Sequence, residues 1–169
     1  MKSKRKPTLD PADRARSYLE RYRPAAERVT LLQRRLERLR ERATAPPSPT
    51  LDGLPRGTRA GPDRIGDLLA LVDETEAELR EAQREAGELR AEIRAAIRRM
   101  PGTTARAERE RMLLLARYVD GERWRGCAEI LFGDRENYID QAQGFERQCH
   151  RIHNDALLTL SKTLMEDSK

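Results

Sequence analysis

The feature that most restricts the fold is a hydrophobic seam running from Ile65 to Met100 without a slip. Ile65, Leu68, Val72, Thr75, Leu79, Ala82, Ala86, Leu89, Ile93, Ala96 and Met100 follow one another in alternating steps of three and four. That spacing keeps one stripe of a helix facing a partner. It predicts a single helix from Asp63 to about Met100, roughly 55 Å long at 1.5 Å per residue. A stripe so narrow cannot stabilise a helix so long in isolation, so a second helix must cover it.

The sequence offers that second helix upstream. Asp10 is a suitable N-cap and Pro11 a suitable first helical residue. From Tyr22 the same alternation recurs at Ala25, Val29, Leu32, Leu36, Leu39 and Ala43. Pro24 removes a backbone donor inside this pattern and is expected to kink or split the helix near Tyr22 and Arg23. Between the two seams, residues 44–62 hold five prolines and three glycines, which excludes helix and predicts a flexible loop. Residues 13–42 carry ten arginines against five acids, whereas residues 63–99 carry seven arginines against ten acids. Opposite charge favours pairing the two helices as a long antiparallel hairpin of coiled-coil type, residues 10–100, closed within one chain or between two. Its many seam alanines bury little area, so the hairpin is expected to be only modestly stable.

Composition narrows the class of protein. With 37% charged and 4% aromatic residues, a large aromatic core is excluded, and an all-α chain of striped helices is expected. The net charge is +5, which suits a nucleic-acid partner without requiring one. Residues 1–9 form a basic arm, expected to be disordered, whose Lys2, Lys4, Arg5 and Lys6 are candidate phosphate contacts. Two cysteines are too few for a secreted disulfide scaffold. Neither a signal peptide nor an apolar run long enough to span a membrane is legible. The expectation is a cytoplasmic protein with no membrane partner.

Residues 101–169 read as a separate small domain. Pro101-Gly102 stops the long helix, and Thr103 or Thr104 caps the next, whose apolar face leads up to Arg117-Tyr118. An Asp120-Gly121 turn follows. Trp124, Cys127, Ala128 and Leu131 then share one face of a short helix. Residues 132–144 are polar and irregular, with an extra helical turn expected around Tyr138 and Ile139. From about Phe145 a last helix sets Phe145, Cys149, Ile152, Ala156 and Leu160 on its apolar side. Arg147, Gln148, His150, Arg151 and Asn154 lie mostly away from that side. This order is that of a helix-turn-helix DNA reader. Those five side chains are types that read base edges or hold phosphates, which makes them the candidate DNA-binding residues, with Arg123 and Arg125 as further phosphate contacts.

The run ARYVDGERWRGCAEIL followed by RIHNDALLTL resembles the C-terminal half of small phage and prophage regulators. Their last domain is similar to region 4 of the primary bacterial sigma factor. The matching residues are Arg117-Tyr118, Asp120-Gly121, Trp124, Arg151-Ile152-His153 and Ala156-Leu157, in roughly the last third of the chain. The resemblance implies a transcriptional regulator of late or packaging genes that binds double-stranded DNA. The chain departs from the family's pattern where the usual tight turn gives way to about a dozen residues, Phe132 to Gly144.

Residues 101–169 hold eleven basic against twelve acidic side chains, so weak non-specific DNA affinity is expected of this domain alone. Cys127, Cys149, His150 and His153 lack any standard zinc spacing, and both cysteines fall on apolar faces, so no metal or other cofactor is expected. No acid/base pair, nucleophile or phosphate-binding loop points to an enzyme. RNA polymerase and a second copy of the chain, paired through the coiled coil, are the further partners considered. A coiled-coil adaptor and a small terminase-like packaging subunit are the rival readings.

Overall fold

The structure, a computed structural model, describes residues 10–45 and 64–166. Its elements are α1 (Pro11–Glu20), α2 (Tyr22–Thr44), α3 (Arg64–Arg98), α4 (Ala105–Leu114), a π-helical turn (Leu115–Val119), α5 (Trp124–Phe132) and α6 (Tyr138–Glu166). The protein is all-α, as its periodicity predicts, and no strand occurs among the described residues. The basic arm of residues 1–9, with Lys2, Lys4, Arg5 and Lys6, lies outside the described residues, as does the Pro/Gly-rich loop from Pro46 onward. Among the described residues no helix is long and apolar enough to cross a membrane.

The chain divides into two compact units. One combines the described residues up to Pro24 with those from Gly87 onward, and the other is Ala25–Ala86. The C-terminal unit therefore does not begin at Pro101. Ala15 and Leu19 of α1 and Ile93, Ala96, Ile97 and Met100 around the end of α3 share one buried cluster with Leu114, Val119, Ala156, Leu157 and Leu160. Helix punctuation marks where elements stop, but burial decides which of them belong together. Each such leucine or isoleucine contributes roughly 1.5–3 kcal/mol when taken out of water.

At the N-terminus, Asp10 accepts a hydrogen bond from the Ala12 amide at 3.2 Å, and Pro11 opens α1. The expected break near Pro24 falls at Arg21. Pro24 is then the third residue of α2, where its missing N–H leaves no hydrogen bond unmade. The break lies one residue ahead of the expected Tyr22 and Arg23, and Arg21 itself keeps helical angles (φ −58°, ψ −31°).

The smaller unit has a modest core. Leu36, Leu39 and Val72 are buried, with Leu68, Leu71 and Leu79 packed against them. Thr75, a polar member of the seam, is fully buried and turns its hydroxyl onto the Leu71 carbonyl at 2.8 Å. Arg28–Glu85 (3.4 Å), Arg35–Glu78 (3.7 Å) and Arg40–Glu76 (2.7 Å) join α2 to α3, with numbers falling on one helix as they rise on the other. In the larger unit, Arg21 and Glu92 make a pair of the same kind at 3.3 Å.

The stop after α3 is built by three residues. Gly102 takes φ +101°, a conformation that L side chains rarely adopt. The Arg111 guanidinium then reaches back from α4 and donates to the carbonyls of Met100 (3.0 Å) and Gly102 (2.9 Å). These two bonds satisfy carbonyls of the turn that follows α3 and tie it to α4. Thr104, of the two threonines considered, is the N-cap of α4, accepting from the Ala107 amide at 3.3 Å.

Candidate nucleic-acid interface

Three short segments precede α6 and hold it in place. The first is α4 with its π-helical end, where the Asp120 amide reaches five residues back to the Leu115 carbonyl at 3.0 Å. The Asp120 carboxylate lies 3.6 Å from Arg90 and 3.8 Å from Arg94, fixing the turn against α3. Gly121 follows at φ +77°, so the Asp120-Gly121 turn read from the sequence has its physical basis in a left-handed glycine.

Next comes α5, whose Cys127, Ala128 and Phe132 are buried with Leu113, Ala116, Phe145 and Cys149. Ala128 is fully buried, in keeping with a small residue where two helices cross closely. The expected short helix runs one residue further than predicted, to Phe132.

The long irregular stretch of residues 132–144 is a correction to the sequence reading. Gly133 to Asn137 form a turn, a short helical piece starts at Tyr138, and the non-helical Gln141 separates it from the long run of α6, which starts a few residues ahead of Phe145. The extra helical turn expected around Tyr138 and Ile139 is the start of α6 itself, set off by a kink at Gln141 (φ −115°, ψ 17°). The reason is aromatic packing. Phe132 stacks on Phe145 at 5.0 Å and Tyr138 stacks on Phe145 at 5.8 Å, so the turn is drawn tight. Arg135 lies over the rings of both Phe132 (5.2 Å) and Phe145 (5.4 Å). Such cation–ring contacts each contribute about 0.5–1 kcal/mol where exposed.

The buried side of α6 comprises Phe145, Cys149, His153, Ala156, Leu157, Leu160, Ser161 and Thr163. On the opposite side, Arg147, His150, Arg151 and Asn154 are exposed, and Gln148 is half-buried. Arg147 and Arg151 have no ion-pair partner among the described residues, nor do Arg123 and Arg125 beside the start of α5. Asp155, four residues beyond Arg151 on α6, is engaged by Arg106 at 2.8 Å. The five residues expected to face DNA thus stand on one helix but in unequal settings.

His150 is the member whose setting differs most. Its ring lies 4.0 Å from the Trp124 ring, while the Arg117 guanidinium lies 5.0 Å from the same indole. Arg117 also donates to the Glu122 carbonyl at 2.8 Å. His153, one turn on, is buried, meets Trp124 edge-on at 5.2 Å and shares a 2.8 Å hydrogen bond with the Tyr118 hydroxyl. Burial, followed by the nearby Arg16 charge, lowers the His153 pKa to about 4. Trp124 therefore ties the π turn, α5 and α6 into one piece. The contact of Trp124 with His150 and His153 is not legible in the sequence, because those histidines come from α6.

Cys127 and Cys149 are free and buried in the same apolar cluster. Burial raises both thiol pKa values, that of Cys149 to about 11, with Cys127 and Glu146 adding to the effect. No group of three or more histidine, cysteine or acidic side chains is placed to hold a metal ion among the described residues. The chain matches no protein-family model, no curated protein and no solved structure.

Proposed function

We propose that this chain is a DNA-binding transcriptional regulator of phage or prophage type that reads duplex DNA with the exposed face of α6. One observation carries the reading: Arg147 and Arg151 stand on that face without a carboxylate partner among the described residues, whereas Arg28, Arg35 and Arg40 of α2 and Arg80, Arg84, Arg90 and Arg94 of α3 each have one. Unneutralised guanidinium groups beside an exposed Asn154 supply bidentate donors for guanine or phosphate and an amide for adenine. Gln148 and His150 flank them at the edge of the face. Arg123 and Arg125, next to the first free amides of α5, add phosphate contacts that set orientation.

The order of α4, α5 and α6 with a short turn between the last two supports the likeness to sigma factor region 4 drawn from Arg117-Tyr118, Asp120-Gly121 and Trp124. In this reading α2 and α3 act as an antiparallel coiled-coil hairpin that contacts RNA polymerase or a second copy of the chain. Lys2, Lys4, Arg5 and Lys6 strengthen non-specific attachment.

The test is the double substitution Arg147→Ala with Arg151→Ala. Loss of at least tenfold in affinity for duplex DNA is expected, since each arginine contact contributes roughly 1–3 kcal/mol. Thermal unfolding should be unchanged, because neither side chain supports the fold. Unaltered DNA binding by the double variant sinks the proposal.

A further inference from the structure

Gly144 is exposed and lies just past the kink at Gln141, and a Cβ added to it would meet nothing within 4 Å. Its φ is not positive, since only Gly102 and Gly121 take that conformation among the described residues. No neighbouring element or side chain therefore calls for glycine, although glycine weakens a helix relative to alanine. Gly144, Arg147 and Arg151 recur at i, i+3 and i+7, so they share one face of α6.

Gly87 in α3 provides a comparison. It too has open space around its Cα. The arginines on its face, however, are engaged, Arg84 by Glu81 and both Arg90 and Arg94 by Asp120. Around Gly144 the arginines are left unneutralised. A missing side chain beside unneutralised guanidinium groups suits a polyanion that must come up against the helix backbone itself.

We propose that Gly144 is the point at which a strand of duplex DNA comes closest to α6. The absent side chain lets the sugar–phosphate edge rest on the helix backbone while Arg147 and Arg151 reach past it. The inference rests on the DNA-reading role proposed above.

The experiment uses the full chain, with the tightest duplex selected from a randomised double-stranded pool as probe. Wild type, Gly144→Ala, Gly144→Leu and Gly87→Ala are compared by thermal unfolding and by titration. Both alanine variants should melt about 2–4 °C higher, as helix propensity requires. Gly144→Ala should bind the selected duplex roughly tenfold more weakly and Gly144→Leu more weakly still, a loss of the size seen for one poor base-pair contact. Gly87→Ala should bind as wild type does. Undiminished binding by Gly144→Ala overturns the inference while leaving the DNA reading intact, and an equal loss in Gly87→Ala overturns it as an effect of helix stiffness. A wild-type chain that retains no duplex from the pool removes the DNA reading and this inference with it.

Discussion

Tyr118 and His153 share a 2.8 Å hydrogen bond, with their rings stacked at 5.7 Å. The pair joins the π-helical turn to the middle of α6, on the buried side opposite Arg147 and Arg151. The ring is 5% exposed, and burial holds its pKa near 4 against an ordinary 6.5. The folded protein therefore keeps this imidazole neutral through a range in which the unfolded chain protonates it.

That difference sets a pH dependence. Between pH 6.5 and about 4 the unfolded state binds one more proton at this site, so stability falls as pH falls through that window. The contribution is complete above pH 6.5 and diminishes by an amount on the order of 3 kcal/mol by the lower limit. Urea unfolding at several pH values should show this slope, and His153→Gln should flatten it while lowering stability overall. Tyr118→Phe leaves the imidazole without its partner and should cost about 1–2 kcal/mol at neutral pH.

The two thiols should be inert in the folded state. Burial holds Cys127 and Cys149 protonated, and the thiolate is the reactive form. A thiol reagent at neutral pH should label neither at an appreciable rate until denaturant is added, when both should react. Rapid labelling of the native protein contradicts the packing of the α5–α6 cluster.

The junction after α3 should be sensitive to two small changes. Gly102→Ala meets the Ala107 methyl at 3.0 Å and forces a side chain into a positive-φ conformation, so a loss of about 1–2 kcal/mol is expected. Thr104→Ala removes the acceptor for the Ala107 amide and should cost about 1 kcal/mol. Both effects should appear as lower midpoints in chemical unfolding with unchanged m-values.

The ion pairs of the smaller unit should matter far less. Arg35 and Glu78 are 47% and 43% exposed, and pairs so well solvated each contribute roughly 0.2–1 kcal/mol. A double-mutant cycle with Arg35→Ala and Glu78→Ala should return a coupling in that range and vanish in high salt. A coupling of several kcal/mol means that water is excluded there to a degree that the exposure does not suggest.

The three-and-four alternation from Ile65 to Met100 made α3 legible, because a helix with a uniform stripe announces itself in any setting. The stop at Pro101-Gly102 and the cap at Thr104 were legible for the same reason: each depends on a few neighbouring residues. The split near Pro24 was half-legible. A proline inside a seam signals a break, but the place of the break depends on which turn can do without an amide donor.

The site shows where local signals end. The outward placement of Arg147, Arg151 and Asn154 was legible from their spacing against the apolar face of α6. Gln148 was placed with them, although most of its surface is covered. Gly144 went unnoticed because a glycine signals a turn in sequence, and only the empty space around it shows that the fold does not need it. The true start of α6 was hidden for a related reason. Residues 132–144 look irregular, and the stacking of Phe132, Tyr138 and Phe145 that draws them in requires residues from two helices.

By itself, then, the sequence determined the helical class, the long seam, the helix signals at Asp10, Pro101-Gly102 and Thr104 and the stripe of α6 that faces outward, since all of these follow from periodicity and from local hydrogen bonding. The tertiary structure decided the rest. It joined α1 and the end of α3 to the C-terminal helices, brought Arg117 and His150 against Trp124, and left Arg147 and Arg151 without carboxylates among the described residues while giving two to Arg106. Those outcomes depend on which buried faces exclude water together, and that is a property of the assembled core that no single stretch of chain carries.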